Sequence, residues 1–87
     1  MTARTLQITL GSGATQIAAS PAPFNQMIVQ NNGSAARLGD STVTTAKGIV
    51  LPAATPVPVG PFSGQQGDAS QFYVAGTAAQ VIDVLLV

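Results

Sequence analysis

Three aspartates, two arginines, one lysine and one tyrosine are the titratable side chains of this 87-residue chain, which has neither histidine nor cysteine. Asp40 and Asp68 lie in glycine-flanked turn sequences, and Asp83 interrupts the apolar run VIDVLLV. Glycoside hydrolysis needs two carboxylates facing each other across a sugar cleft. Nothing in this spacing pairs any two of the three. Nucleophilic catalysis needs a base beside a serine or threonine, and Lys47 is the one candidate. Thr44-Thr45-Ala46-Lys47 has an S-x-x-K-like spacing, but with threonine and with no helix to present it. A solvated lysine in a turn is the simpler reading. Gly11-Ser12-Gly13 is too short to cradle a phosphate and precedes no helix. Asp40 with Asn31 and Asn32 could offer oxygens to calcium, yet such sites usually gather several carboxylates. Asn32-Gly33-Ser34 fits an N-glycosylation acceptor. With no secretory signal visible in the sequence, a turn is the expected role. The sequence therefore predicts no enzyme, no cofactor and no metal.

The elements around these residues read as strands. Thr5 to Leu10 alternates, with Leu6, Ile8 and Leu10 on one face and Thr5, Gln7 and Thr9 on the other. A short strand follows over Ala14 to Ala18, and Ser20-Pro21-Ala22-Pro23 stops it. Phe24 to Gln30 is the next strand, with Met27 and Val29 opposite Ile28. Turns are expected at Asn31 to Ser34, Gly39 to Ser41 and Ala46 to Gly48. Short strands fall between and after them: Ala35 to Leu38, Thr42 to Thr45 with Val43 inward, and Ile49 to Leu51. Residues 52–68 form a Pro/Gly-rich extended segment with one edge strand near Val57 to Val59 and a loop tip at Gly64 to Asp68. Gln71 to Ala75 and Gln80 to Val87 are the last strands. The run Val81, Ile82, Val84 and Val87 is β-branched, which disfavours a helix there.

Short strands with turn signals every eight to twelve residues predict an all-β fold. The expected form is one domain over residues 1–87, a small antiparallel β-sandwich or β-barrel-like unit. Net charge is zero and 7% of residues are charged, whereas the apolar fraction is 46%. A polyanion binder shows a basic excess, so nucleic acid is not an expected partner. The C-terminal apolar run is too short to span a bilayer. A small, nearly uncharged apolar chain tends to associate; the alternative is a neutral monomer kept soluble by Thr, Ser, Gln and Asn. The final strand is apolar on both faces, with Ile82, Val84 and Leu86 on one and Val81, Leu85 and Val87 on the other. Such a strand needs cover on both sides, from a neighbouring subunit or from a loop of its own chain.

Two segments carry a family resemblance. One is QNNGSAARLGDSTV, residues 30–43, followed by KGIVL, residues 47–51. The other is FYVAGTA, residues 72–78, followed by VIDVL, residues 81–85. In this order they resemble small virion structural proteins of tailed bacteriophages, most of all capsid decoration, or cement, proteins. The resemblance covers about half the chain, and its motifs are turn and strand motifs. It implies a compact β domain on the capsid exterior that bridges major capsid protein subunits, without a cofactor, as a homo-oligomer with a trimer favoured over a dimer. Similar patterns occur in phage tail or surface adhesion modules that bind a receptor or glycan, and this stays the alternative.

On that reading, extended segments pair with exposed strand edges of the shell, and apolar side chains supply area. The expected interface residues are Leu6, Ile8 and Leu10 in the first strand, Val57, Val59 and Phe62 in the proline segment, Tyr73, and Val81, Leu85 and Val87 in the last strand. Arg37, Asp40 and Lys47 are expected to fix turns rather than to carry chemistry.

Overall fold

Alternation sets the longest strands, and their register sets everything else. The computed structural model describes residues 3–33, 36–60 and 66–87. Its strands are Arg4–Thr9 (β1), Thr15–Gln16 (β2), Pro23–Phe24 (β3), Met27–Asn31 (β4), Ala36–Gly39 (β5), Ile49–Leu51 (β6), Pro56–Val59 (β7), Gly67–Asp68 (β8), Tyr73–Ala75 (β9) and Val81–Leu86 (β10). A single 3-10 turn, Ala69–Gln71, is the one helical element among the described residues. The all-β, antiparallel expectation holds. The strands form two open four-stranded sheets, ordered β1-β10-β4-β7 and β2-β9-β5-β6, and a two-stranded ribbon, β3-β8. Each large sheet keeps two edges, so neither closes into a barrel by itself.

In the first sheet, Leu6, Val84, Val29 and Val57 lie in one cross-strand row, and Ile8, Ile82 and Asn31 lie in the next. These rows face inward. The second sheet answers with Ala36, Leu38, Leu51 and Val74, and the β3 end adds Phe24. One core therefore joins both sheets. Phe24 is its largest fully buried side chain and meets Phe72 at a ring separation of 5.9 Å. Full burial of such a side chain contributes about 1.5–3 kcal/mol.

Three expectations about elements need correction. The strand expected over Phe24 to Gln30 breaks, because the Asn25 and Gln26 N–H groups both turn to the Val87 carbonyl, at 2.7 and 3.1 Å. Thr42 to Thr45 forms no strand; Asp40 closes a turn there, and one isolated bridge joins Thr44 to Lys47. Val43 is nonetheless buried, as its alternation suggested. At the expected loop tip, Gly67 and Asp68 pair with Phe24 and Pro23, while residues 64 and 65 lie outside the described residues.

A buried polar knot holds the sheets in place. Asn31, at the end of β4, is fully buried. Its Nδ2 donates to the Leu51 carbonyl of β6 at 3.2 Å, and its Oδ1 accepts from the Gly33 N–H at 2.9 Å and from Gln80 Nε2. Gln80 Oε1 in turn accepts from the Thr77 N–H at 2.9 Å. A Cβ at Gly33 would sit 2.8 Å from Gln80 Cγ, so a larger residue there would push the Gln80 side chain out of its place in the knot. The sequence reading makes Asn31 a turn residue; it is instead a strand-end residue whose side chain satisfies a buried carbonyl of the second sheet and a backbone N–H of the turn after β4.

Candidate interaction surfaces

The outer face of the first sheet presents regular cross-strand rows. One cross-strand row there reads Thr5, Leu85, Ile28 and Pro58, and the next reads Gln7, Asp83, Gln30 and Pro56. Leu85, Ile28 and Val81 are half-buried, Pro56 and Pro58 are exposed, and Val87 continues the stripe at 41% exposure. Between Thr5, Ile28, Gln30, Pro56, Asp83 and Leu85 lies a shallow hollow of about 210 Å³. Asp83 is the charge beside it. Gln7 Nε2 and Asn32 Nδ2 donate to its two oxygens at 2.9 and 2.6 Å. These bonds hold its carboxyl below the ordinary 3.8.

The interface residues expected from the sequence divide sharply. Leu10 is 2% exposed and belongs to the core. Leu6, Ile8, Val57 and Val59 pack against that core. Their parity turns them inward, so in this fold they are core contacts and not an outer surface. Residues 56–59 of the proline segment are likewise no free arm, because β7 already pairs with β4. Val81, Leu85 and Val87 face outward on the first sheet as expected. Tyr73 is half-buried in β9, in register with Gly39 and Gln16. Phe62 lies outside the described residues. Sequence reasoning missed Ile28, Pro58, Ile49 and Val50. Among the described residues the last two are the most exposed large apolar side chains, at 63% and 48%, on the edge strand β6. Sequence reading gives Ile49 to Leu51 as a short strand only; its place at a sheet edge is a matter of topology.

The second sheet carries a loop, residues 40–48, pinned by side chains. Arg37 Nε and Nη1 donate to the Thr45 and Gly48 carbonyls, both at 3.0 Å. Asp40 Oδ1 accepts from the Thr42 hydroxyl at 2.5 Å and from the Thr42 N–H at 2.9 Å. Lys47 Nζ donates to that same hydroxyl at 3.2 Å. The Thr42 bonds, with the nearby Lys47 charge, pull the Asp40 carboxyl down from 3.8. Lys47 thus sits on Thr42, and the Thr44 hydroxyl accepts from the Ala46 N–H at 3.2 Å. Both groups of the Thr-x-x-Lys run are tied into turn geometry. Between this loop and residues 12–14 lies a groove of about 400 Å³, lined by Ser12, Ser41, Thr42, Thr44 and Thr45 around Val43 and Ala75.

Asp68 is structural too. It caps the 3-10 turn by accepting from the Ser70 N–H at 2.9 Å and the Ser70 hydroxyl at 2.8 Å, and it accepts from the Ala22 N–H at 3.0 Å. The backbone donors of Ala22 and Ser70, then the Ser70 hydroxyl, lower its pKa. Among the described residues, no three His, Cys, Asp or Glu side chains gather to hold a metal. The calcium reading also fails on geometry, since Asn31 Oδ1 is committed inside the core and Asp40 to its own exposed turn.

No family model, curated protein or solved structure matches this chain. No described helix is long and apolar enough to cross a membrane. Among the described residues the structure presents an apolar stripe, an apolar edge and a hydroxyl-lined groove, with the described carboxylates engaged in local hydrogen bonds.

Proposed function

We propose that this protein is a structural virion protein that binds the outer surface of a phage capsid and stabilises contacts between major capsid protein subunits. The observation that carries the reading is the outward stripe Val81, Leu85, Ile28, Pro58 and Val87 on the first sheet. A stripe of this kind, on a chain with six charged side chains in all, favours docking against another protein. The resemblance of residues 30–51 and 72–85 to phage decoration proteins supplies the partner class. Repetition over a lattice raises the effective concentration of every weak contact.

The test compares heads with and without the protein under heat and osmotic shock. Decorated heads should survive conditions that open bare ones, and Leu85→Lys should abolish both binding and protection while leaving the fold intact. Equal survival of bare and decorated heads overturns the reading.

The groove of about 400 Å³ favours a second reading, an adhesion module. Its hydroxyls, from Ser12, Ser41, Thr42, Thr44 and Thr45, suit the hydrogen-bonding edges of a glycan. Saturable binding of the isolated protein on a glycan array, lost in Thr42→Val, would favour this reading over docking to a shell.

A further inference from the structure

The two edges of the first sheet differ in a way that selects a partner. The Leu10 N–H bonds the Gln80 carbonyl at 2.8 Å, and the Leu10 carbonyl accepts from the Ala79 N–H at 2.8 Å. Main-chain groups alternate sides along a strand. Arg4, Leu6 and Ile8, in phase with Leu10, therefore bond inward to β10. The N–H and C=O groups of Thr5, Gln7 and Thr9 point the other way, toward an edge with no strand partner among the described residues. The opposite edge behaves differently. The Asn31 carbonyl accepts from the Ala54 N–H at 2.7 Å, on the β7 side of β4. In that phase, Val57 and Val59 bond to β4, and positions 56 and 58 point outward. Both are proline, which has no N–H to offer. One edge of the sheet is open, and the other is closed to strand addition.

We infer that the β1 edge pairs antiparallel with β1 of a second copy, forming a continuous eight-stranded sheet with a two-fold axis at Gln7. The strand is self-complementary about that residue. Thr5 meets Thr9 of the other copy, Gln7 meets Gln7, and Leu6 meets Ile8. Thr–Thr and aliphatic cross-strand pairs are favourable, and no like charges oppose each other, because Arg4 falls opposite Leu10. The axis at Gln7 uses every outward residue of β1; an axis at Leu6 would set Thr9 against Ala3, beyond the strand. Closure follows from the prolines: both outer edges of the paired sheet are β7 edges, so the assembly stops at two. A two-fold axis normal to the sheet also keeps both outer stripes on one side. The edge geometry thus favours a pair over the trimer that the resemblance implies. It stands whether or not the partner is a capsid.

The experiment measures mass in solution and cross-linking of the full chain. The wild type should sediment at twice the 8.7 kDa chain mass. Gln7→Pro removes an N–H the monomer does not use, at a kind of position where this sheet already holds Pro58, and should halve the mass with the strand signal retained. The chain has no cysteine, so one introduced thiol reports cleanly. On oxidation Gln7→Cys should link to a dimer, Thr5→Cys alone should not, and Thr5→Cys mixed with Thr9→Cys should. Reopening the far edge with Pro56→Val and Pro58→Val should give species larger than two chains. A wild-type monomer at about 100 μM, well above a micromolar dimer Kd, overturns the inference. So does a Gln7→Cys variant that stays unlinked, even where Gln7→Pro fails to fold.

Discussion

The two large sheets are built by different means. The first is made of long strands whose alternation alone dictates the register; its inward rows are almost wholly aliphatic. The second is made of short strands, and much of its shape comes from side chains bonded to backbone: Arg37 to the 40–48 loop, Asp40 to Thr42, Asn31 to Leu51 and Gly33. Backbone register tolerates surface change, whereas a pinned loop depends on single atoms. The comparison teaches where this protein should be brittle.

The largest effect should come from the shared core. Phe24→Ala should cost about 3–5 kcal/mol in a denaturant titration, against which any sheet-specific variant can be ranked. Asn31→Ala should follow, at roughly 1–3 kcal/mol for each buried group left unsatisfied. Asn31→Asp tests the same knot, because a carboxylate cannot donate to Leu51. If the second sheet is the brittle one, Gly48→Ala should exceed any outer-face change in the first sheet. Gly48 has φ +139°, and an added Cβ would lie 2.7 Å from Val43 Cγ2 and 2.9 Å from the Leu38 carbonyl. An equal loss from Thr5→Ala on the first sheet's outer face would break the comparison.

A smaller gain is expected at Ala79, which holds φ +70° without being glycine. Left-handed backbone costs an L-residue about 1–2 kcal/mol, so Ala79→Gly should raise the melting temperature. Smallest is the acid response. The carboxyls of Asp40, Asp68 and Asp83 all sit lower in the folded chain than their ordinary 3.8. Their contribution is complete above the unfolded value near about 3.9 and is lost as pH falls through the folded values. Stability should be flat from neutrality to about pH 5 and decline only below it. Asp68→Asn should flatten part of that decline.

Much of the first sheet was legible because alternation is a local signal. Parity alone puts Leu6 with Ile8 on one face, and separates Ile82, Val84 and Leu86 from Val81 and Leu85; which face turns to the core is set by the fold. The same parity shows why Leu6 and Ile8 turn toward the core: a strand with one polar face packs its apolar face inward. What the sequence hid was pairing between distant strands. That β10 lies between β1 and β4, that β6 is an edge and that Asn31 reaches Leu51 are long-range facts. An exposed Ile49 looks the same in sequence as a buried one. The break at Asn25 was equally invisible, since its cause is the Val87 carbonyl at the other end of the chain.

The Asn31–Gln80 knot has a consequence for how the molecule comes apart. Its bonds tie the end of β4, the start of β10 and the edge strand β6 to one pair of side chains, so neither sheet can open while the other stays shut. Heating should therefore give a single sharp calorimetric peak, and the amide protons of Gly33 and Ala54 should exchange with deuterium as slowly as those at the centre of β10.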